Sequence, residues 1–232
     1  VGFLPATAHA QEWYVGGSIG IVDQSDSDNS GTTGAFTTGN GAPAVPNGTP
    51  VAAGAAYGWT TEFSSGMAGS VEAGLRYDNG LRSGIELSYT QADVDRHSGV
   101  TLGGTLIDGV DAAVLTGSAT QLGATVGQVV ADGRGEIRNT ALFANAYYDF
   151  NRTAAWQPYL GAGIGVSQVD VDYSPSGVGI IDGDDTVFVW QAKAGITWRF
   201  DSEWEAYGEY AYRQSDDITF DNQLFPGTLD IE

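Results

Sequence analysis

From Thr186 to Arg213 apolar and polar residues alternate with a period of two. One face of the first half carries Phe188, Trp190, Ala192, Ala194, Ile196, Trp198 and Phe200. The other carries Val187, Val189, Gln191, Lys193, Gly195, Thr197 and Arg199. That period predicts a strand, not a helix. Asp201-Ser202-Glu203 leaves room only for a tight turn, so the strand and the following WEAYGEYAYR form a hairpin. The apolar face has aromatics at both ends and small or aliphatic residues between them. Membrane-spanning strands need roughly 9–11 residues, apolar toward lipid and girdled by aromatics at the two interfaces. A soluble sandwich strand also alternates, but its apolar face is seldom bounded in this way.

The same pattern recurs along the chain. Glu12–Val22 places Trp13, Val15, Gly17, Ile19 and Ile21 on one face. Gly66–Tyr77 places Met67, Val71, Ala73, Leu75 and Tyr77 together, with Ser70, Glu72, Gly74 and Arg76 opposite. Asp78-Asn79-Gly80 then predicts a hairpin with a type I′ turn, in which Asn-Gly takes the positive φ. Leu81–Asp93 sends Leu81, Ile85, Leu87 and Tyr89 out and Arg82, Gly84, Glu86 and Ser88 in. Glu136–Phe150 sends Leu142, Ala144, Ala146, Tyr148 and Phe150 out. Trp156–Val171 sends Leu160, Ala162, Ile164 and Val166 out over inward Gly161, Gly163 and Gly165. Its later Gln168, Asp170 and Asp172 fall on the lipid face unless the strand has left the bilayer or a bulge intervenes. The connections alternate long and short, with long loops up to Ser65 and from Val94 to Gly133. Outer-membrane barrels sort short periplasmic turns from longer external loops. That rule puts the N-terminus in the periplasm and the loops near Gly39, Thr116 and Gly179 outside.

Composition narrows the functions. The net charge is -20 with nine Lys and Arg, which excludes nucleic acid as a partner. Cysteine is absent, so neither disulfides nor thiolate metal sites are available. Residues 1–10, VGFLPATAHA, read as the remnant of a secretory signal peptide, with Ala8-His9-Ala10 as a small-x-small cleavage site. Residues 11–232 form the barrel domain, lacking most of its last strand.

The stretches EWYVGGSIG, PYLGAGIGVS, FVWQAKAGITWRF and EAYGEYAYR resemble the eight-stranded outer-membrane barrels of the OmpA/OmpX-like and opacity-type surface-antigen family. The resemblance covers roughly Glu12 to Arg213 and lies in the repeated pattern, not in one motif. It implies an all-β, antiparallel up-and-down transmembrane β-barrel with a plugged polar interior and exposed variable loops. Eight strands are expected and seven are visible. Thr228–Glu232 has length only to begin an eighth, and seven strands leave two open edges, so the expected account is a sequence truncated at both ends; alternatively, Ile218–Ile231 closes the barrel imperfectly or another chain pairs with the edges.

Three constellations carry candidate chemistry. Glu72, Arg76, Arg82, Glu86, Lys193, Arg199, Glu205, Glu209 and Arg213 fall on interior faces. Charges at that depth need partners, so they read as a salt-bridge and hydrogen-bond plug; a gate in a narrow pore is the alternative. Trp13, Tyr77, Tyr89, Tyr148, Phe150, Trp190, Trp198, Phe200 and Trp204 read as interface anchors. Aspartates gather near the outer rim, and Asp182, Asp184 and Asp185 are the candidate site for Ca²⁺ or Mg²⁺, though without EF-hand spacing. No other cofactor is implied. His97, beside Ser98, is the only histidine beyond the signal remnant, and sequence adjacency alone does not make a nucleophile and base. The chain therefore reads as a non-enzymatic outer-membrane barrel with long acidic surface loops in a structural or adhesive role. A porin-like channel and a soluble lipocalin-like binding barrel are the alternatives. Its expected partners are outer-membrane lipid and lipopolysaccharide, with a protein partner or self-association through the loops or an open edge.

Overall fold

The structure is a computed structural model that describes residues 11–131, 133–173, 181–201, 203–216, 218–221 and 228–231. In chain order come β1 (Gln11–Val22), β2 (Ser27–Thr32), β3 (Phe36–Thr37), β4 (Pro50–Val51) and β5 (Ala56–Phe63). β6 (Gly66–Tyr77), β7 (Leu81–Leu102) and β8 (Thr105–Leu106) follow, then the one-turn helices α1 (Ala113–Thr116) and α2 (Val126–Val130). The rest is β9 (Gly135–Asp149), β10 (Trp156–Tyr173), β11 (Ile181–Arg199), β12 (Glu205–Ser215), β13 (Ile218–Asp221) and β14 (Thr228–Ile231).

Seven long strands make one antiparallel meander, in the order β1-β6-β7-β9-β10-β11-β12. The sheet is curled, because side chains from its distant strands meet on the concave side. Arg76 of β6 lies 2.6 Å from Glu205 of β12, and Arg213 of β12 lies 3.2 Å from Glu86 of β7. The convex side is apolar: Ile164, Trp190, Ile196 and Trp198 are all exposed, whereas Glu86 and Lys193 are buried at 1% and 5%. This is the inside-out arrangement of a membrane barrel, not a soluble one with a greasy centre.

The turn after β6 differs from the expected type I′. Gly80 alone takes positive φ, 91°, while its N–H donates to the Tyr77 carbonyl and Asn79 Oδ1 accepts from the Leu81 N–H. Asp78-Asn79-Gly80 is thus a three-residue loop, a type I turn closed by a left-handed glycine. Asn79 uses its side chain to hold the turn and has no need of a left-handed backbone.

The two longest connections are not structureless. β7 continues well past Asp93, to Leu102, and pairs with β5; β5 pairs with β2 and β2 with β14. β14 also pairs antiparallel with β13, so these two short strands extend the β2–β5–β7 sheet rather than the meander. Neither β1 nor β12 has a second strand neighbour among the described residues. At this end the first and second long connections fuse into a lobe. The Asn40 N–H donates to the Ser118 carbonyl at 2.8 Å and Gln121 Nε2 to the Ala42 carbonyl at 2.6 Å. Ile107, Val110, Val114, Val126 and Val130 form its core, against which Val45 packs. Gly39 runs so close to α1 that a Cβ there would sit 2.0 Å from the Ala113 carbonyl oxygen.

Candidate functional site

The concave side of the seven-stranded sheet is the first candidate. Across β6 and β7, Glu72 stands directly opposite Glu86, a pairing of like charges that is unfavourable unless donors intervene. They do. Asn145 Nδ2 of β9 lies 2.6 Å from a carboxylate oxygen of each. Glu72 also accepts from the Tyr14 and Tyr147 hydroxyls, both at 2.5 Å. Glu86 accepts from Lys193 at 2.7 Å, Gln191 at 3.0 Å and Arg213 at 3.2 Å.

Lys193 continues to Glu209 at 3.0 Å, which also accepts from the Tyr159 hydroxyl at 2.8 Å. Arg213 donates onward to Ser88 and Gln191. Toward the short turns, Arg82 sits among the rings of Tyr14, Tyr147 and Tyr159, with its carbon 5.4, 4.2 and 4.8 Å from their centroids, and 3.4 Å from Asp149. Tyrosine faces hold a guanidinium where water is scarce. At the mouth Arg76 grips Glu205 through two bonds and Arg199 adds a third at 2.9 Å. All nine ionisable residues assigned to the interior thus line this side, with Arg199 at its exposed end. The cations Arg76, Arg82, Lys193, Arg199 and Arg213 balance the anions Glu72, Glu86, Asp149, Glu205 and Glu209, five against five.

The neutral donors were the members that sequence reasoning missed. Tyr14, Asn145, Tyr147, Tyr159 and Gln191 carry no charge to draw attention, yet they make many of the bonds. The signal for them was present in the inward glycines of β10. A Cβ at Gly161 would meet the Tyr147 ring at 2.3 Å, and one at Gly163 would meet Asn145 Oδ1 at 1.9 Å. Bare backbone on β10 gives the side chains of β9 the room to lie across the interior.

Sidedness inverts partway along the strands. On β10, outward Leu160, Ala162, Ile164 and Val166 give way to Gln168, Asp170 and Asp172, while Val169 and Val171 turn in at 2% exposure. The pairing with β9 and β11 runs unbroken through this change. The strand has therefore left the apolar band and no bulge is involved. β7 and β11 change at the same level, since Tyr89 pairs with Thr140, Gln168 with Thr140 and Gln168 with Thr186. Past that row an apolar cluster fills much of the interior: Tyr57, Ala92, Val94, Ile137, Val169, Val171 and Val187, with Trp59 and Phe63 packed on it, beside the buried polar Asn29, Thr61 and His97. The polar lumen is covered on its long-loop side by a hydrocarbon plug.

The decisive comparison is with protein families. The family model described as "Outer membrane protein beta-barrel domain" matches residues 1–226. The chain belongs to the outer-membrane β-barrel family. It is also similar to the Outer membrane protein PagN of Salmonella typhimurium, at 25% identity over 99 residues, 40% of this chain and 41% of that protein. The match thus spans well under half of PagN's length. Among solved structures it is similar to Neisserial surface protein A (NspA), with 14% identity, 93% of this chain and 94% of that one covered, and a TM-score of 0.39.

On the outside of the barrel, Trp13, Tyr89, Tyr148, Phe150, Trp190, Trp198, Phe200 and Trp204 are exposed, and Tyr77 is half-buried with its hydroxyl 3.4 Å from Ser83 Oγ. Trp156, Phe188, Tyr210 and Tyr212 join them on the same surface. Trp156 stacks on Trp198, its cross-strand partner, at 5.5 Å, which the hairpin register alone would have revealed. Most of these rings lie toward the short turns; Tyr89 and Phe188 mark the opposite boundary.

Of the candidate cation site, the two aspartates whose side chains are described do not converge. Asp184 and Asp185 are consecutive on β11, so they leave opposite faces of the strand; Asp184 accepts from Gln168 and Asp185 from the Thr186 N–H. The side chain of Asp182 lies outside the described residues. Among the described residues no three His, Cys, Asp or Glu side chains are placed to hold a metal ion. The lobe itself is almost uncharged: residues 33–55 contain no ionisable side chain, and 98–131 contain only Asp108 and Asp111. Both aspartates are spent on backbone. Asp108 accepts from the Gly99 and Val100 N–H groups. Asp111 accepts from those of Ala113, Leu122 and Gly123, which hold its carboxyl below the usual carboxylate range. Much of the acidity sits instead on the outward face between the apolar band and the lobe, at Asp93, Asp95, Glu136, Asp170 and Asp172. His97 is buried against Thr61, and Ser98 Oγ points to Glu62, so the two make no nucleophile–base pair.

Proposed function

We propose that this protein is a sealed, non-enzymatic barrel whose task is to hold a preformed, nearly neutral lobe clear of the outer leaflet. There the lobe makes contact with molecules or surfaces outside the cell. The orientation follows the sorting of connections: the short turns lie on the periplasmic side and the lobe on the outer side. Lipid and lipopolysaccharide surround the aromatic-bounded band. The acidic collar spaces the lobe from them and keeps polyanions away.

One observation carries the reading. The interior is filled twice over, by an ion-paired network within the band and by the cluster around Val94, Val169, Val171 and Val187 above it. Barrels of this width hold side chains rather than a pathway, and an apolar stopper over a neutralised lumen leaves ions no continuous polar route. The ordered lobe, with its own core and helix caps, is then the part that has something to present. Planar-bilayer recording tests this directly. The expected result is electrical silence, with the lobe cleavable by protease added to intact cells. Steady unitary currents would favour the narrow-channel alternative and refute the sealed barrel.

A further inference from the structure

β1 and β12 are the free edges of the meander, and they run the same way. Six antiparallel pairings separate them, from β1 through β6, β7, β9, β10 and β11 to β12, so the two are parallel to each other. An antiparallel sheet cannot close by joining such edges directly. It closes only through an odd number of further strands, the first of them running from the lobe end to the short turns. The edge also shows on the lipid face. Trp13, Val15, Ile19 and Ile21 of β1 stand 80–95% exposed, against 52–60% for Leu160, Ile164 and Val166 in mid-sheet.

Tyr207 of β12 gauges the width of the opening. Its inward ring lies 4.0 Å from where a Cβ on Gly16 of β1 would stand, and its hydroxyl is hydrogen-bonded with that of Ser18. Two other tyrosines show what span that reach implies. Tyr14 of β1 crosses β6 at Gly74, and its hydroxyl stops 2.6 Å from a Cβ placed on Gly84 of β7. Tyr159 of β10 crosses β11 at Gly195 and donates to Glu209 of β12. Each ring spans one intervening strand, which is two strand spacings or about 10 Å. Tyr207 makes the same reach, and among the described residues no strand lies beneath it. The opening is one strand wide.

Its register is set as well. From Gly16, the directly paired residues run through Glu72, Glu86, Phe143, Gly165 and Val189 to Ser215 of β12. The β12 residue that meets Gly16 and Ser18 across the opening is instead Tyr207, eight positions before Ser215. Over eight strands that stagger corresponds to a tilt of roughly 35–40°, within the range of closed barrels. A strand residue paired with Tyr207 therefore lies opposite Gly16 or Ser18.

The same tyrosines state what that residue must be. Tyr14, Tyr147 and Tyr159 each lie over a glycine that is their direct partner on the following strand, Gly74, Gly161 and Gly195. A Cβ at those glycines would stand 2.7, 2.3 and 2.4 Å from the ring above it. We propose that the space between β1 and β12 is a receiving slot for one extended segment of polypeptide from outside residues 11–231. The segment runs from the lobe end to the short turns, with glycine opposite Tyr207 and apolar residues at alternate, lipid-facing positions. A second copy inserted in the same sense cannot supply it. All four free edges of two copies run the same way, and the strands that run oppositely, β6, β9 and β11, are paired on both sides. β13 and β14 have four residues each, too few to span the band, and they pair with each other and with β2. The inference concerns how the sheet is completed and does not rest on the anchoring role.

Amide hydrogen exchange of the 232-residue chain in lipid nanodiscs tests the slot. The probe is a synthetic strand of about 11 residues, in which leucine or valine alternates with glycine. It should slow exchange along β1 and β12 by at least about tenfold, what one net hydrogen bond contributes, and leave β10 and β11 unchanged. A nitroxide at its N-terminus should broaden resonances near Ile21 and Arg213 and spare those near Trp13 and Glu205. The same strand with alanine in place of every glycine should fail to protect either edge of the unsubstituted chain, and should protect both once Tyr207→Ala removes the ring. No protection by the glycine strand, equal protection by both strands in the unsubstituted chain, or broadening at the short-turn end would each overturn the slot. So would edges already protected before any strand is added, which would give the opening to a second copy or another occupant.

Discussion

Replacing Lys193 by Met tests whether the interior behaves as a dry, mutually neutralised plug. Lys193 is almost wholly buried and touches Glu86 at 2.7 Å and Glu209 at 3.0 Å. Removing one partner of a buried pair costs about 3–5 kcal/mol, because the charge left behind is uncompensated. Glu86 keeps Arg213, Gln191 and Asn145, and Glu209 keeps Tyr159, so the lower end, about 3 kcal/mol, is expected. Glu86→Gln alone should cost a similar amount by stranding the positive charges of Lys193 and Arg213. The double variant removes one charge of each sign and restores the balance. It should cost about 2 kcal/mol less than the sum of the two single changes, within the range of coupling seen for contacting residues. Urea unfolding in lipid bicelles, followed by tryptophan fluorescence and by heat-modified gel mobility, supplies all three free energies. If Lys193→Met costs under about 0.5 kcal/mol and the two changes simply add, water solvates these charges and the sealed lumen is wrong.

Two further outcomes follow from the same geometry. Gly163→Ala places a methyl group 1.9 Å from Asn145 Oδ1, pushing that amide off both Glu72 and Glu86; a loss of about 1–3 kcal/mol is expected because each of the two facing carboxylates loses the donor they share, read by the same urea assay. Ile164→Arg puts a charge on the lipid face within the band and should cost about 2–4 kcal/mol, whereas Gln168→Arg, four residues on and in the boundary row, should cost less than about 1 kcal/mol; equal costs would mean that the band does not end where the sidedness inverts.

Legibility from sequence depended on how many strands shared a signal. Alternation put Leu160, Ile164 and Trp190 outside and Glu86 and Lys193 inside because a period of two leaves only two choices for each strand. Polar partners such as Asn145 and Tyr147 could be placed on a face but not in a network, since a hydrogen bond depends on register between strands, which a single strand does not encode. The Tyr77–Leu81 turn was recognised as a turn, yet its class was missed because Asn79 has two ways to serve one: a left-handed backbone or a side-chain bond. The fused lobe was hidden altogether. Residues 33–55 and 103–131 read as Gly-, Thr- and Ala-rich linkers because their core is assembled from two distant segments, neither of which has enough apolar residues to show periodicity alone.

The inversion of sidedness joins these points. Val166 faces out and Val169 faces in on one uninterrupted strand, so side-chain polarity cannot be read without knowing the solvent on each side at that height. Within the band lipid lies outside and ion pairs lie inside; past the row of Tyr89, Thr140, Gln168 and Thr186, water lies outside and hydrocarbon inside. A pore would keep its interior polar along the whole length. A strand that exchanges its faces gives that up and gains a second hydrophobic core, which lets β2, β5 and β7 stand beyond the bilayer as a folded sheet and carry the lobe on a rigid base. Sealing and presentation are, on this argument, two consequences of the same change of pattern.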